Sequence, residues 1–372
     1  MTIPNKLRAA RRRLLGVNKK KIAGICLLCY LLYKMTILRI YSIPLPMSVN
    51  IDDYQPFEPE ITADFPTDGR KTPRIPHIIH QTYKTELIPL HYKDMVMSFH
   101  KFNPKWDFYL WTDASSRKLV AEKYPHLLNV WDSYPLNIHR ADAIRYIALY
   151  EYGGIYADLD IECLRPLAAL TKKYACIFPT EPFEFISIHN DLPYQINNAF
   201  MLCRKGHPFL KQLIESLPAY RMIPKIIERT GPIFVTSQFV LYNRIFTYYG
   251  PSQKKNATES NSPYFYKGEL PETHENAVYV PNSKYFFYAI NDNNNRLFWM
   301  HYKCYSKFLD LGYNQQRGCI ELKKRDSRGG PNKYAFVEHL WYQVYKHVWK
   351  GWFNSLDRQF NLSDEIKKLI IY

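Results

Sequence analysis

Two carboxylates, Asp158 and Asp160, stand one residue apart at the end of the run GGIYADLD, residues 153–160. The period there is two. Ile155, Ala157 and Leu159 fall on one side, and Tyr156, Asp158 and Asp160 on the other. A strand with this alternation puts both acids on one face, their Cα atoms roughly 7 Å apart at about 3.3 Å per residue. Two bare carboxylates so placed repel, and a positive partner is needed to keep both ionised. A hard divalent cation supplies it, and oxygen ligands suit Mn²⁺ or Mg²⁺. Two side chains make no closed cage, so water and phosphate oxygens would complete the shell, as for a metal carried with a nucleotide. A solvated acidic turn is the plainer alternative for the same letters.

The residues just before this pair are as specific. Ala141, Ile144, Ala148 and Leu149 follow helical spacing and predict an apolar stripe on a helix over 138–152. Asp142 and Arg145, three apart, share another face of that helix. Gly153-Gly154 ends it, because glycine takes left-handed backbone at low cost. Taken together, Ala141-Asp142, Arg145-Tyr146, Leu149-Tyr150, Gly153-Gly154, Tyr156, Asp158 and Asp160 make one gap-free pattern. It resembles the DxD sugar-binding region of glycosyltransferase family 32. That family includes the mannosyltransferase that initiates outer chains on N-glycans and those that act on inositol phosphorylceramide.

The resemblance implies an α/β fold of the GT-A nucleotide-sugar-binding type with a central, mostly parallel sheet. It implies a retaining, metal-dependent hexosyltransferase, with mannose from GDP-mannose the favoured donor. UDP-galactose or UDP-N-acetylhexosamine stays open, as does a catalytically inactive glycan-binding relative. Asp158 and Asp160 would be the catalytic, metal-holding pair, with Mn²⁺ or Mg²⁺ as cofactor. Asp142 and Arg145 would hold donor-sugar hydroxyls. The opening RIPHIIHQTYKT resembles the family's first strand, so His80, Gln81 and Tyr83 would line the nucleotide, with Tyr83 where the family commonly has a base-stacking Trp. The segment YQINNAFMLCR before His207-Pro208-Phe209 offers Asn197 and Asn198 to the sugar. Gly231-Pro232 matches the family's TGP, before a helix facing the acceptor cleft. His339 and Trp341 resemble a C-terminal segment near the diphosphate, which adds His339 to the metal set.

The elements that must position these groups alternate. A strand opens near Ile78, a helix follows over 90–100, a strand over 106–112 and a helix over 115–124, then the DxD unit. Such an order predicts an α/β sheet. A further strand is expected over 175–179, a loop over 183–192, a helix over 209–217, polar loops over 251–263, 291–296 and 323–333, and an aromatic helix over 334–353. Neither GxGxxG nor GxxxxGK[ST] occurs, which excludes a Rossmann dehydrogenase or P-loop reading.

The formal charge of +16 is concentrated: residues 1–40 hold ten Lys or Arg and no acid. The charge therefore marks a tail and implies no nucleic-acid partner. The expected division is a basic cytosolic tail over 1–21, a transmembrane signal anchor over 22–47, a Pro- and acid-rich stem over 48–73, the catalytic domain over 74–353 and a tail over 354–372. Lys34 and Arg39 interrupt the anchor. The basic cluster before it would leave the body luminal, as a single-pass type II Golgi membrane protein. The partners expected are a nucleotide-sugar donor, a glycan or glycolipid acceptor and the membrane, with the oligomeric state open. The sequons at Asn256 and Asn361 fit a luminal body. Of seven cysteines, five lie in the body, so at least one stays unpaired within a monomer; Cys304–Cys319 is one available bridge.

Overall fold

The structure, a computed structural model, describes residues 19–42, 58, 61–244, 270–287, 290, 296–324, 333–342, 358–366 and 369–371. Helix α1 spans Lys19–Ser42. The body then opens with β1 (Ile78–Thr82), β2 (Leu87–Pro89), α2 (Lys93–Phe102), β3 (Asp107–Trp111), α3 (Asp113–Lys123), α4 (Leu128–Ser133), α5 (Asn137–Tyr152), β4 (Gly154–Ala157) and β5 (Ile161–Cys163). After these come β6 (Cys176–Ile177), α6 (Phe183–Asn190), β7 (Phe200–Cys203), α7 (Pro208–Tyr220), α8 (Ile226–Arg229), α9 (Pro232–Tyr242), α10 (Arg296–Lys307) and α11 (Tyr313–Lys324). The chain closes with β8 (Val337–His339), β9 (Gln359–Asn361), α12 (Leu362–Glu365) and β10 (Leu369–Ile371).

Six strands form the central sheet in the order β10-β3-β1-β4-β7-β6. The pairs β10/β3, β3/β1 and β1/β4 are parallel, while β7 runs against both β4 and β6. The sheet is thus mixed, and mostly parallel as expected. Side-chain alternation along the strands supplies two cores. Ile155, Ala157, Phe200 and Leu202 face a layer with Val96 and Phe99 of α2. Tyr156, Met201 and Cys203 face the opposite layer, with Ile147 of α5 and Leu213 of α7. Such a sheet leaves its binding crevice beyond the carboxyl ends of the parallel strands, where β4 delivers Asp158.

The GG turn is required by space as well as by backbone. Gly153 and Gly154 have φ of 68° and 112°. A Cβ on Gly154 would meet the Ile78 carbonyl oxygen at 2.6 Å, and one on Gly153 the Lys205 nitrogen at 2.6 Å. Only glycine lets α5 turn this tightly into the middle of the sheet.

Several expectations are corrected. The strand ends at Ala157, because the Ile161 amide donates to the Asp158 carbonyl at 3.2 Å and turns the chain there. Asp158 and Asp160 therefore sit on a turn between β4 and β5. Helix α5 is buried from Asp142 through Leu149 and carries no one-sided stripe. Residues 183–190 form α6, which starts behind Pro182, where a loop was expected. The segment around His339 is strand β8, paired antiparallel with β5, and no helix begins at residue 334; residues 343–357 lie outside the described ones. Residues on both sides of 74–353 pack with this body. Phe65 is buried among Tyr174, Tyr279, Tyr285, Phe286 and Phe336, and β10 pairs with Phe108–Leu110 at the sheet edge.

Helix α1 forms, but among the described residues no helix is long and apolar enough to cross a membrane. Lys34, Arg39 and the leading Lys19–Lys21 dilute its apolar run. Cys304–Cys319, which the sequence left open, is a bridge, and Cys176–Cys203 joins the adjacent strands β6 and β7. Cys163 is the buried, unpaired body cysteine.

Candidate active site

Asp142 and Arg145 project from α5 into a buried polar network. Both are nearly inaccessible, at 4% and 3% exposure. Arg145 Nη2 lies 3.1 Å from Asp142 Oδ1 and Nη1 lies 3.3 Å from Asp158 Oδ1. Nη1 also donates to the Asn198 carbonyl at 2.7 Å, Nε to Ala141 O at 3.2 Å, and the guanidinium lies over the Tyr156 ring at 4.7 Å. Burial opposes the charged guanidinium, yet Asp158, Tyr156 and Asp142 around it hold it protonated. The two residues thus pair along the helix, but as a buried ion pair and not an exposed one.

Asp142 receives further bonds from Asn198 Nδ2 at 3.0 Å and Thr230 Oγ1 at 2.8 Å. Burial still pushes its carboxyl above the usual range, against the pull of Arg145, Thr230 and Asn198. The segment before Pro232 therefore acts here through Thr230. Its hydroxyl holds Asp142 and faces His139 Nδ1 at 3.2 Å, and its carbonyl accepts from Tyr146 at 2.6 Å. This brace could have been suspected from the Thr of the TGP triplet.

On the turn, Asp158 accepts from Tyr156 OH at 2.7 Å while its amide donates to Ala199 O at 2.8 Å. Its carboxyl is raised by burial and by the neighbouring Asp160 charge, with Arg145 opposing. Asp160 Oδ2 accepts from the Tyr342 amide at 2.9 Å, and Oδ1 lies 3.4 Å from His339 Nε2. Burial opposes its charge, but His339 and the Tyr342 amide hold it below the usual range. His339 is raised in turn: burial lowers it, and Asp160 more than offsets that. The β5/β8 pairing, with Ile161 opposite His339, makes this contact.

Two carboxylates and an imidazole are a donor set that suits Mn²⁺ or Mg²⁺, and Asp158 and Asp160 keep 29% and 15% side-chain exposure. The three do not close on themselves. Among the described residues the one group of three ligand side chains within 4.8 Å is Cys176, Cys203 and His207, whose cysteines are joined as a disulfide. An open arrangement is what a metal shared with a diphosphate requires.

The other expected residues divide. Tyr83, just past β1, lies 6.5 Å from Tyr92, which lies 6.2 Å from Tyr342. These three tyrosines form an aromatic rim beside Asp160, and Tyr92 and Tyr342 escaped the sequence reading because they match no motif. His80 is corrected. It is fully buried, with Nε2 on the Gly153 carbonyl at 2.8 Å and Nδ1 accepting from Trp111 at 3.1 Å, so no ring nitrogen is left for a nucleotide. Burial also lowers it to about 4, so the ring is neutral. Gln81 is buried with Nε2 lacking a hydrogen-bond partner.

Asn198 faces Asp142 and Tyr146 through Nδ2, at 3.0 and 2.9 Å. Asn197 donates to Glu181 Oε1 at 2.7 Å and accepts from the Ala199 amide at 2.6 Å. Both amides thus brace the site. Trp341 stacks on His339 with centroids 4.2 Å apart and holds φ of 56°, a left-handed conformation costly for a bulky side chain. Asn361 caps α12 through the Ser363 amide at 3.0 Å, and Asn256 lies outside the described residues.

Residues 89–177 match the family described as "Glycosyltransferase sugar-binding region containing DXD motif". "Inositol phosphoceramide mannosyltransferase 3" of Schizosaccharomyces pombe is 41% identical over 167 residues, 44% of each chain. "Inositol phosphoceramide mannosyltransferase 2" of the same yeast is 29% identical over 272 residues, 69% of this chain and 76% of that one. "Initiation-specific alpha-1,6-mannosyltransferase" of Candida albicans is 27% identical over 125 residues, 32% of each. The chain spans less than half the length of the first of these and about three quarters of the second. The matched residues 89–177 carry Asp142, Arg145, Asp158 and Asp160, and over parts of its length the chain is similar to proteins named as mannosyltransferases.

Proposed function

We propose that the chain is a retaining hexosyltransferase that moves mannose from GDP-mannose to the head group of an inositol-containing sphingolipid. The observation that carries the transfer reading is the continuous network Asp142–Arg145–Asp158, beside Asp160–His339, at the carboxyl end of β4. The head-group reading rests on the relatives, since the phosphoceramide enzyme is 41% identical and the N-glycan enzyme 27%.

In this reading Asp158, Asp160 and His339 hold the divalent ion, which would supply positive charge to the departing diphosphate. Arg145 fixes Asp158 and keeps the turn electrically balanced. Asp142, held by Thr230 and Asn198, turns toward the sugar. Tyr83 and Tyr92 give the base an aromatic face. Trp341 Nε1, a buried donor without a partner, would be available to a ligand oxygen. The acceptor hydroxyl would attack from the side of the leaving diphosphate and give its proton to it, so that the sugar would keep its anomeric configuration.

The body is read as luminal, in the secretory pathway and most simply the Golgi. Two disulfides support an oxidising compartment. The decisive experiment incubates the purified chain and Mn²⁺ with GDP-mannose, UDP-galactose and UDP-N-acetylhexosamine, with inositol phosphoceramide or a mannosyl N-glycan as acceptor. Mannosylated phosphoceramide with the α configuration is expected. Transfer only from a UDP-sugar, or only to the N-glycan, would replace the donor or the acceptor. No transfer and no donor hydrolysis would overturn the enzyme reading.

A further inference from the structure

Glu181 has no role so far, and its surroundings are unusual. It follows β6 in the run Phe178-Pro179-Thr180-Glu181-Pro182, and its backbone is pinned. Its amide donates to the Gln195 carbonyl at 2.9 Å, Thr180 bridges to Ile196, and Pro182 starts α6 directly after it. The side chain is 5% exposed. One carboxyl oxygen, Oε1, accepts from Asn197 at 2.7 Å; the other, Oε2, is buried with no hydrogen-bond partner. Interiors rarely leave such an acceptor unmatched, because stripping it of water without replacement is costly.

Two more orphaned polar atoms lie close by. His339 Nδ1 and Trp341 Nε1 are both buried and without partners. Their rings are stacked. Phe185, on the helix that begins just after Glu181, packs on Trp341 at 4.9 Å, and the Arg296 guanidinium lies over the same indole at 5.0 Å. An acceptor, a donor and an imidazole beside an aromatic face have the chemistry of a site for a ring that is apolar on its face and hydroxylated at its edge.

We propose that Glu181 is a sugar-binding residue whose free carboxyl oxygen receives a ring hydroxyl of the hexose or polyol held between Asn197 and the His339–Trp341 stack. This rests on the transferase reading and extends it to a carboxylate outside the matched residues 89–177. The hydroxyl belongs either to the donor sugar or to the acceptor ring.

The test is Glu181→Gln, which keeps the shape and the bond from Asn197. Four quantities are compared with the wild-type full chain in Mn²⁺: Tm, affinity for free GDP, hydrolysis of GDP-mannose in water, and transfer to the acceptor. Transfer is expected to fall roughly ten- to a hundredfold, the loss of one charged hydrogen bond, with Tm and GDP affinity unchanged. If hydrolysis falls equally, the hydroxyl is the donor's. If hydrolysis holds and only the acceptor KM rises, it is the acceptor's. Wild-type transfer and hydrolysis in the variant would overturn the assignment. Losses that track a lower Tm and weaker GDP binding would also overturn it, making Glu181 a structural brace for Asn197. Failure of the wild type itself to hydrolyse any sugar nucleotide would instead sink the transferase reading. Saturation-transfer NMR with free mannose and myo-inositol would then decide Glu181 by itself. Ring signals present in the wild type and lost in the variant would keep the proposal; no signal in the wild type would end it.

Discussion

At the residue scale, the charges that do the work are the ones packed into a chain of partners. Asp160→Asn keeps the shape and the bond from the Tyr342 amide but removes the charge beside His339. Transfer is expected to be lost, at least a hundredfold, together with Mn²⁺ binding by calorimetry, while Tm moves by no more than a few degrees. A wild-type rate in this variant would remove Asp160 from the metal set. Asp142→Asn differs because it unbalances a buried guanidinium. Breaking one partner of a buried pair costs on the order of 3 kcal/mol, so this variant should lose both activity and stability. Thr230→Ala removes only a hydroxyl from Asp142, a cost of about 1–2 kcal/mol, and its transfer rate should fall far more than its urea midpoint. The four acids and bases of the site were legible because their spacing is local, within nineteen residues of one run. Glu181, Tyr92 and Tyr342 were not, since each reaches the site through tertiary packing from another part of the chain, and Thr230 is signalled only by the TGP triplet. His80 was misread for the opposite reason: its neighbours in sequence match a motif, while its neighbours in space are Gly153 and Trp111.

At the scale of elements, the alternation of strand and helix was readable from residue 78 to 157, where each element is long or strongly patterned. It failed where partners at long range decide the conformation. The run FEFISIHN has aromatic and β-branched residues that favour strand, yet it is helix α6, packed against α10 and α11. Tertiary burial of Ile188 beside Met300 and Leu322 overrides propensity there. The apolar run Leu369–Ile371 is too short to show a period, yet it adds the edge strand next to β3. Removing residues 367–372 should therefore expose that edge, lowering Tm and promoting aggregation in light scattering. Unchanged Tm and a monodisperse monomer would show that β10 contributes nothing. Gly154→Ala tests the turn itself. With φ of 112° and the Ile78 carbonyl 2.6 Å from the new Cβ, it should cost more than about 2 kcal/mol and displace Asp158.

At the scale of the whole molecule, the segment before β1 is part of the body, and one buried acid makes its docking depend on pH. Phe65 fills an aromatic cluster, Tyr285 OH donates to Ala63 O at 3.0 Å, Tyr334 OH to Thr62 O at 2.8 Å, and Arg165 bridges to Asp64 at 2.8 Å. Glu58 lies deeper, accepting from the Ser283 amide at 3.1 Å and from the Ser283 hydroxyl. Burial raises its carboxyl from 4.5 to about 7, Ser283 and Lys284 pull it down, and Glu184 adds to the rise. The folded chain thus holds a proton that the unfolded chain releases near 4.5. Glu58 costs nothing below that value, its cost grows as pH rises from 4.5 to 7, and it is fully charged against the fold above 7. The full cost is about 3 kcal/mol, at 1.36 kcal/mol per pKa unit. Glu58→Gln keeps an acceptor for Ser283 and cannot ionise. It should therefore match the wild type near pH 5 and exceed it above pH 7 in a Tm-against-pH series. Glu181 titrates in the same window and is common to both proteins, so the difference between the two curves belongs to Glu58. Parallel curves from pH 5 to 8.5 would mean that Glu58 stays hydrated in solution and that the segment is held by Phe65 and the contacts at Thr62, Ala63 and Asp64 without it.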